Sequence, residues 1–191
     1  HLDGTALLPD HSISPILVET LDKARHQGIE VVVCTGRNYS ASLSSVQALK
    51  IKNYVINYNG GRIFDLNAQK VLSETQLTPT LAEGLIQFAT HNSLHLNLYH
   101  DDFLYVEAAT EEAEFYKKTT NTDYHIIDFK SFIGKPSTKA LIVAPPDHAP
   151  TIIQKLQGEF FDITIVPSTD TLIEILPKGM SKARGVEFIT N

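Results

Sequence analysis

The chain has 191 residues, with 16 Lys or Arg against 22 Asp or Glu and a formal net charge of −6. That balance, with basic residues scattered singly, provides no general polyanion-binding face and argues against nucleic acid as a partner. The composition, 42% apolar and 20% charged, is that of a globular protein; no apolar run is long enough to span a bilayer, and Cys34, the only cysteine, allows no intrachain disulfide and fits a reducing cytoplasm.

The chain opens on a turn-rich stretch, His1-Leu2-Asp3-Gly4-Thr5 followed by Ala6-Leu7-Leu8-Pro9. Ser14-Pro15 predicts a helix start, with Ser as cap and Pro at the first helical position. Ile16, Leu17, Leu21 and Ala24 recur at helical spacing, and Gly28 closes the helix. Residues 29–34 are apolar apart from Glu30, which marks a strand buried on both faces of a parallel sheet. Thr35-Gly36-Arg37 follows at its carboxyl end. A helix over 39–49 and a strand over 54–58, ending in Asn59-Gly60-Gly61, complete a strand-helix-strand crossover. Ligands of such sheets lie beyond the carboxyl ends of the strands, where Thr35 and Asn59 both fall.

From about Arg62 the pattern changes. Short strands are predicted over 71–77, 94–99, 103–106, 139–143, 163–167 and 171–176, with turns at Asp101-Asp102 and at 168–170. Helices fall near 79–91, 111–120 and 150–160. This is an antiparallel α+β pattern. Pro177-Lys178-Gly179 reads as a return linker, and Ser181 caps a final helix. The domain reading is an α/β core over 1–65, an inserted α+β domain over 66–176 and a return to the core over 177–191.

Four stretches, LDGTALLPDHSIS, VVVCTGR, YVINYNGG and EILPKGMSK, resemble in order and spacing the haloacid dehalogenase (HAD) superfamily. The resemblance is closest to its Cof-type phosphatases with a subclass IIB cap, and it covers nearly the whole chain. It implies a HAD-like, Rossmann-like α/β parallel-sheet core with an inserted cap. It also implies a cytoplasmic, Mg²⁺-dependent hydrolase of small phosphate monoesters, sugar phosphates first, working through an aspartyl phosphate. The partner would be a small phosphorylated metabolite held between core and cap. Two other readings stay open: an inactive phospholigand-binding homologue, and a phosphomutase or cofactor phosphatase.

The same resemblance distributes roles. Asp3 would be general acid and then base. The position of His1 is that of the nucleophilic aspartate. Mg²⁺ would take the nucleophile carboxylate, the Asp3 backbone carbonyl and an aspartate from a later GDxxND stretch. Gly4 would let the backbone turn closely around phosphate, and Thr5 would support that turn. Thr35 would bond a phosphate oxygen, with Gly36 beside it. Arg37 would contact substrate or pair with a carboxylate, and Asn59-Gly60 would line the cleft. For Lys182 there is also a physical reason. A cation in the first turn of a helix opposes the helix dipole by roughly 0.3–1 kcal/mol, and a bound anion reverses that sign. Lys178 is a rival that Gly179 separates from the helix.

The departures shape the expectation. His1 cannot form an acyl phosphate, and imidazole is a poor Mg²⁺ ligand beside a carboxylate. The family's nucleophile strand would precede His1, two further strands would follow the last helix, and no GDxxND occurs within residues 1–191. The core sheet is therefore expected to be incomplete, the segment a piece of a longer protein, and the residues as written inactive. His1 is then either a genuine substitution or a remnant added before Leu2.

Other signals are set aside. The Cys34-to-Arg37 spacing is too short for a cysteine-phosphatase loop, so Cys34 reads as a buried strand residue. Residues 134–138, GKPST, lack the upstream glycine of a nucleotide loop, and Pro136 interrupts them. His91, His95 and His100 with Asp101 and Asp102 do not have metal-site spacing.

Overall fold

The computed structural model describes residues 1–191 and divides them into two units, residues 1–74 with 181–191 and residues 75–180. In the first unit, α1 (Pro15–His26) leads to β1 (Val33–Cys34), α2 (Tyr39–Ala48) and β2 (Tyr54–Asn57). β1 and β2 pair in parallel, Val33 with Val55 and Cys34 with Ile56, as the crossover pattern predicts. The start of α1 also follows expectation, with Pro15 at its first position and Ser14 as cap, although the Ser14 side chain makes no capping bond. Gly28, at φ 80°, lets the chain leave the helix.

Two expectations for this unit need correction. The strand expected over 29–34 is only two residues long, and Ile29 is 55% exposed. The Ile29 amide is instead spent on the Ala24 carbonyl, finishing the helix exit. The sheet also continues beyond β2. β3 (Arg62–Asp65) and β4 (Lys70–Glu74) extend it antiparallel, in the order β1-β2-β3-β4. Residues 66–74, expected in the insert, therefore belong to the first unit, 66–69 as a turn and 70–74 as strand β4. Their hairpin is set by the Asp65 carboxylate, which accepts the Asn67 and Ala68 amides.

Strand alternation gives the sheet two apolar faces. Val33 and Val55 pack with Leu2, Val46, Leu49 and Ile51, while Cys34, Ile56 and Ile63 pack with Ile189 of α6 (Lys182–Thr190). Helix α6 starts where Ser181 predicts, its hydroxyl accepting the Arg184 amide at 3.2 Å.

The second unit contains α3 (Pro79–His91), β5 (His95–His100), β6 (Phe103–Val106), α4 (Glu111–Thr120), β7 (His125–Ile126), β8 (Lys139–Val143), α5 (Ala149–Glu159), β9 (Ile163–Pro167) and β10 (Leu172–Pro177). Its sheet order is β7-β6-β5-β8-β10-β9, antiparallel except for β6 with β7. Asp101 and Asp102 both have positive φ, the signature of a two-residue hairpin turn. Leu85 and Phe88 of α3 and Ile152 and Leu156 of α5 pack against Leu96, Leu98, Ile142 and Ile173. The opposite face of the sheet carries Tyr99, whose hydroxyl meets that of Tyr116 on α4 at 2.9 Å. No helix is long and apolar enough to cross a membrane.

Candidate functional site

The opening turn is built by its dihedrals. Asp3 has φ −63° and ψ 134°, and Gly4 has φ 67° and ψ 8°. These are the central positions of a type II turn, whose second position requires positive φ and hence favours glycine. Leu2 anchors the turn in the apolar cluster beside Val33 and Val55. The Asp3 side chain stays 56% exposed. Thr5 is exposed on the same turn. A small hairpin follows, bridged from Leu7 to Ile13, with His11 at φ 62°.

Arg37 grips Asp3 with both arms, Nε to Oδ2 at 3.0 Å and Nη2 to Oδ1 at 2.5 Å. The Nδ1 atom of His11 lies 3.5 Å from the same Nη2. Of the two roles open to Arg37, the structure therefore displays carboxylate pairing. Burial pushes the Asp3 carboxyl up, but the hydrogen bond and charge of Arg37 outweigh it and hold the group below the usual carboxylate range. Asp3 is thus ionised at neutral pH. A folded value below the unfolded value of about 3.9 adds stability above that pH, and this is lost as pH falls through the folded midpoint. Because Asp3 is more than half exposed, the contribution is small. In Arg37→Ala, burial remains without its counterweight, so the Asp3 midpoint should rise. A carboxyl-detected NMR titration measures this, and an unchanged midpoint would remove Arg37 as the cause.

The Thr35-Gly36-Arg37 loop is held from several sides. The Thr35 amide donates to the Ile56 carbonyl at 2.9 Å, and the Asn59 amide donates to the Thr35 carbonyl at 3.0 Å. The Thr35 hydroxyl accepts the Arg37 amide at 3.2 Å, which leaves its own proton to donate elsewhere. A side chain at Gly36 would come within 3.1 Å of Asn59 Oδ1, so glycine is what lets Asn59 sit against the loop.

Lys182, the first residue of α6, places its Nζ 3.0 Å from His1 Nδ1. An ammonium can only donate, so Nδ1 is the acceptor and the ring proton sits on Nε2. The helix reaches this place because two glycines face each other. A Cβ on Gly60, whose φ is 101°, would overlap the Ser181 carbonyl oxygen, and one on Gly185 would come within 2.5 Å of Ile56 Cγ2. The contacts close a ring. Asp3 joins Arg37, Arg37 joins Thr35, Thr35 joins Asn59, Gly60 touches Ser181, and Lys182 returns to His1. Lys178 belongs to the second unit and pairs with Asp162 at 3.4 Å.

The donors present do not fit Mg²⁺. That ion asks for a near-octahedral set of oxygens. Position 1 offers an imidazole nitrogen already taken by an ammonium, and the Asp3 carboxylate is tied to Arg37, leaving the Asp3 backbone carbonyl. No group of three or more His, Cys, Asp or Glu side chains is placed to hold a metal anywhere in the chain. Two histidines of the second unit have other partners. His95 bonds Asn97 and Thr110, and His100 bonds the Pro136 carbonyl. Cys34 is buried, and burial raises its thiol against the opposing charge of Lys182, which suits an inert packing residue.

Two contributors escape the sequence reading. His11 sits on a hairpin tip with no periodic signal. Asn57 is a fully buried polar residue in the apolar strand β2, and that misfit is the signal that could have found it.

The family model for haloacid dehalogenase-like hydrolases matches residues 1–191. An HMP-PP phosphatase of Serratia proteamaculans is 23% identical over 191 residues, covering 99% of this chain and 69% of its own. The pyridoxal phosphate phosphatase of Escherichia coli K12 is 32% identical over 109 residues, 57% of this chain and 40% of its own. The crystal structure of TM0651 from Thermotoga maritima superposes with a TM-score of 0.84 at 26% identity, over 98% of this chain and 71% of that one. With its four motifs and its fold in agreement with these matches, the chain belongs to the haloacid dehalogenase-like hydrolases, a phosphatase family, and to their Cof-type branch.

Proposed function

We propose that a form of the protein with an aspartate at position 1 hydrolyses small phosphate monoesters, sugar phosphates first, through an aspartyl phosphate, and that Lys182, Thr35 and the Asp3-Gly4 turn bind the phosphate. The observation that carries this reading is the 3.0 Å approach of the Lys182 ammonium to the side chain at position 1. There the N-terminus of α6 adds the positive end of its dipole to the lysine charge. Thr35 supplies a hydroxyl proton. Asp3 handles the proton of the leaving oxygen, and the Arg37 grip determines when. While Arg37 holds it, Asp3 is ionised and can only accept a proton. An arriving phosphate offers Arg37 a competing bidentate anion. Once the guanidinium lets go, the burial that it outweighs is left to raise the Asp3 carboxyl from its lowered value. The single buried thiol suits a cytoplasmic setting.

A second substrate class, phosphorylated cofactors, is favoured by the 32% identity with pyridoxal phosphate phosphatase. A binding role without turnover is favoured by His1 itself. All three readings need the phosphate site, so the test is titration of inorganic phosphate into the chain and two variants. Lys182→Ala should weaken binding by roughly 1.5–3 kcal/mol, about ten- to a hundredfold, the worth of a charge-assisted hydrogen bond. Lys178→Ala should have a smaller effect. Equal affinity in all three proteins would remove Lys182 from the site and sink the proposal.

A further inference from the structure

We infer that Asn57 is a positioning residue that sets the Arg37–Asp3 pair through the Arg37 main chain. It deepens the phosphatase reading of the same site and rests on that reading only for what Asp3 does chemically. Asn57 ends β2 and is fully buried. Its Nδ2 donates to the Arg37 carbonyl at 3.1 Å and to Ser42 Oγ of α2 at 3.0 Å. The Tyr58 amide donates to the same carbonyl at 3.2 Å. Two donors thus converge on the carbonyl of the residue whose guanidinium holds Asp3.

The amide orientation follows from its neighbours. Turned over, Oδ1 would face the Arg37 carbonyl, acceptor against acceptor. In the orientation seen, Oδ1 is buried without a hydrogen-bond partner. An unsatisfied buried acceptor is costly, and an apolar side chain of the same size avoids that cost. Packing alone would therefore favour leucine here, beside the buried Val55 and Ile56. What asparagine adds is a donor that joins strand β2, helix α2 and the Thr35–Arg37 loop. The Ser42 hydroxyl meanwhile donates to the Tyr39 carbonyl at 2.9 Å, so Ser42 remains engaged if Asn57 is lost. The Arg37 carbonyl keeps only Tyr58.

The experiment follows the Arg37 Nε–H resonance in the ¹⁵N-labelled chain, together with thermal stability. A bidentate pair gives this proton a shifted, exchange-protected signal. In Asn57→Leu, which restores packing without a donor, the signal should move towards that of a free arginine. Its exchange should quicken about tenfold, the worth of one hydrogen bond. Ser42→Ala, which touches the same network away from Arg37, should lower stability and leave the signal in place. Should Asn57→Leu not fold, Asn57→Ser, with a shorter donor at the same place, carries the test with a partial shift. An unmoved Arg37 signal in the folded Asn57 variant, or an equal shift in Ser42→Ala, would overturn the inference and leave Asn57 a packing residue. A moved signal with unchanged phosphate affinity would uphold the positioning role and count against the phosphate site instead.

Discussion

The chain with His1 is expected to release no phosphate from p-nitrophenyl phosphate, with or without added Mg²⁺. An acyl phosphate needs a carboxylate nucleophile, and position 1 holds an imidazole. Its Nδ1 lone pair already accepts the Lys182 proton, and only Nε2, which carries the ring proton, is left. Attack from Nε2 would first require that proton to leave, and no carboxylate is bonded to the ring to take it. In a form that carries Asp at position 1 and does turn over, Asp3→Asn should lower kcat by roughly 10²–10⁴, the usual span of general acid–base catalysis. A colorimetric phosphate assay covers both statements. Sustained release from the unaltered chain would mean that the nucleophile lies elsewhere, and an unimpaired Asp3→Asn enzyme would take the proton from another group.

The second large effect is structural. Gly60→Ala should cost about 1–3 kcal/mol for overpacking and about 1–2 kcal/mol for a side chain on left-handed backbone, since φ at Gly60 is 101°. The colliding atom is a main-chain oxygen of Ser181, so no rotamer change relieves it. Gly185→Ala meets Cγ2 of the buried, β-branched Ile56 at 2.5 Å and the Gly60 Cα at 3.0 Å, so it also overpacks, but its backbone is helical and it regains up to about 1 kcal/mol of helix propensity. The first variant should therefore fall well below the second in denaturant midpoint. Both should lose phosphate affinity in step with the displacement of α6. Midpoints equal to that of the parent chain would mean that α6 does not rest on the Asn59-Gly60 turn.

Much of this site is legible in the sequence because its pieces carry local rules. Asp3-Gly4 is readable because only glycine suits the second position of its turn. Ser181 and Lys182 are readable because a hydroxyl cap before a helical run is a strong start signal, and the cap bond forms. Helices α3 and α4 likewise start behind the hydroxyl caps Thr78 and Thr110. What resists reading lies where no period helps. β4 overlaps the strand expected over 71–77, but as an edge strand with almost every residue exposed it shows no apolar alternation that would assign it to the first sheet. β1 is two residues long because its apolar run outlasts its pairing with β2. The Arg37–Asp3 grip, the His11 contact and the Asn57 clamp join residues 20 to 34 positions apart. Such partners follow from the tertiary fold, and a linear pattern cannot name them.

The division of the first unit between residues 1–74 and 181–191 has a consequence for biosynthesis. A ribosome delivers β1 to β4 long before α6, so the Cys34, Ile56 and Ile63 face must wait for Ile189 to cover it. Closing so long a loop as flexible chain would carry an entropic cost that rises only slowly with length. The intervening unit has a sheet and an apolar core of its own, so its folding would take most of that flexible chain out of the loop to be closed. Order of synthesis would then make the inserted unit the assembly aid for the site, with Lys182 among the last of its groups to arrive.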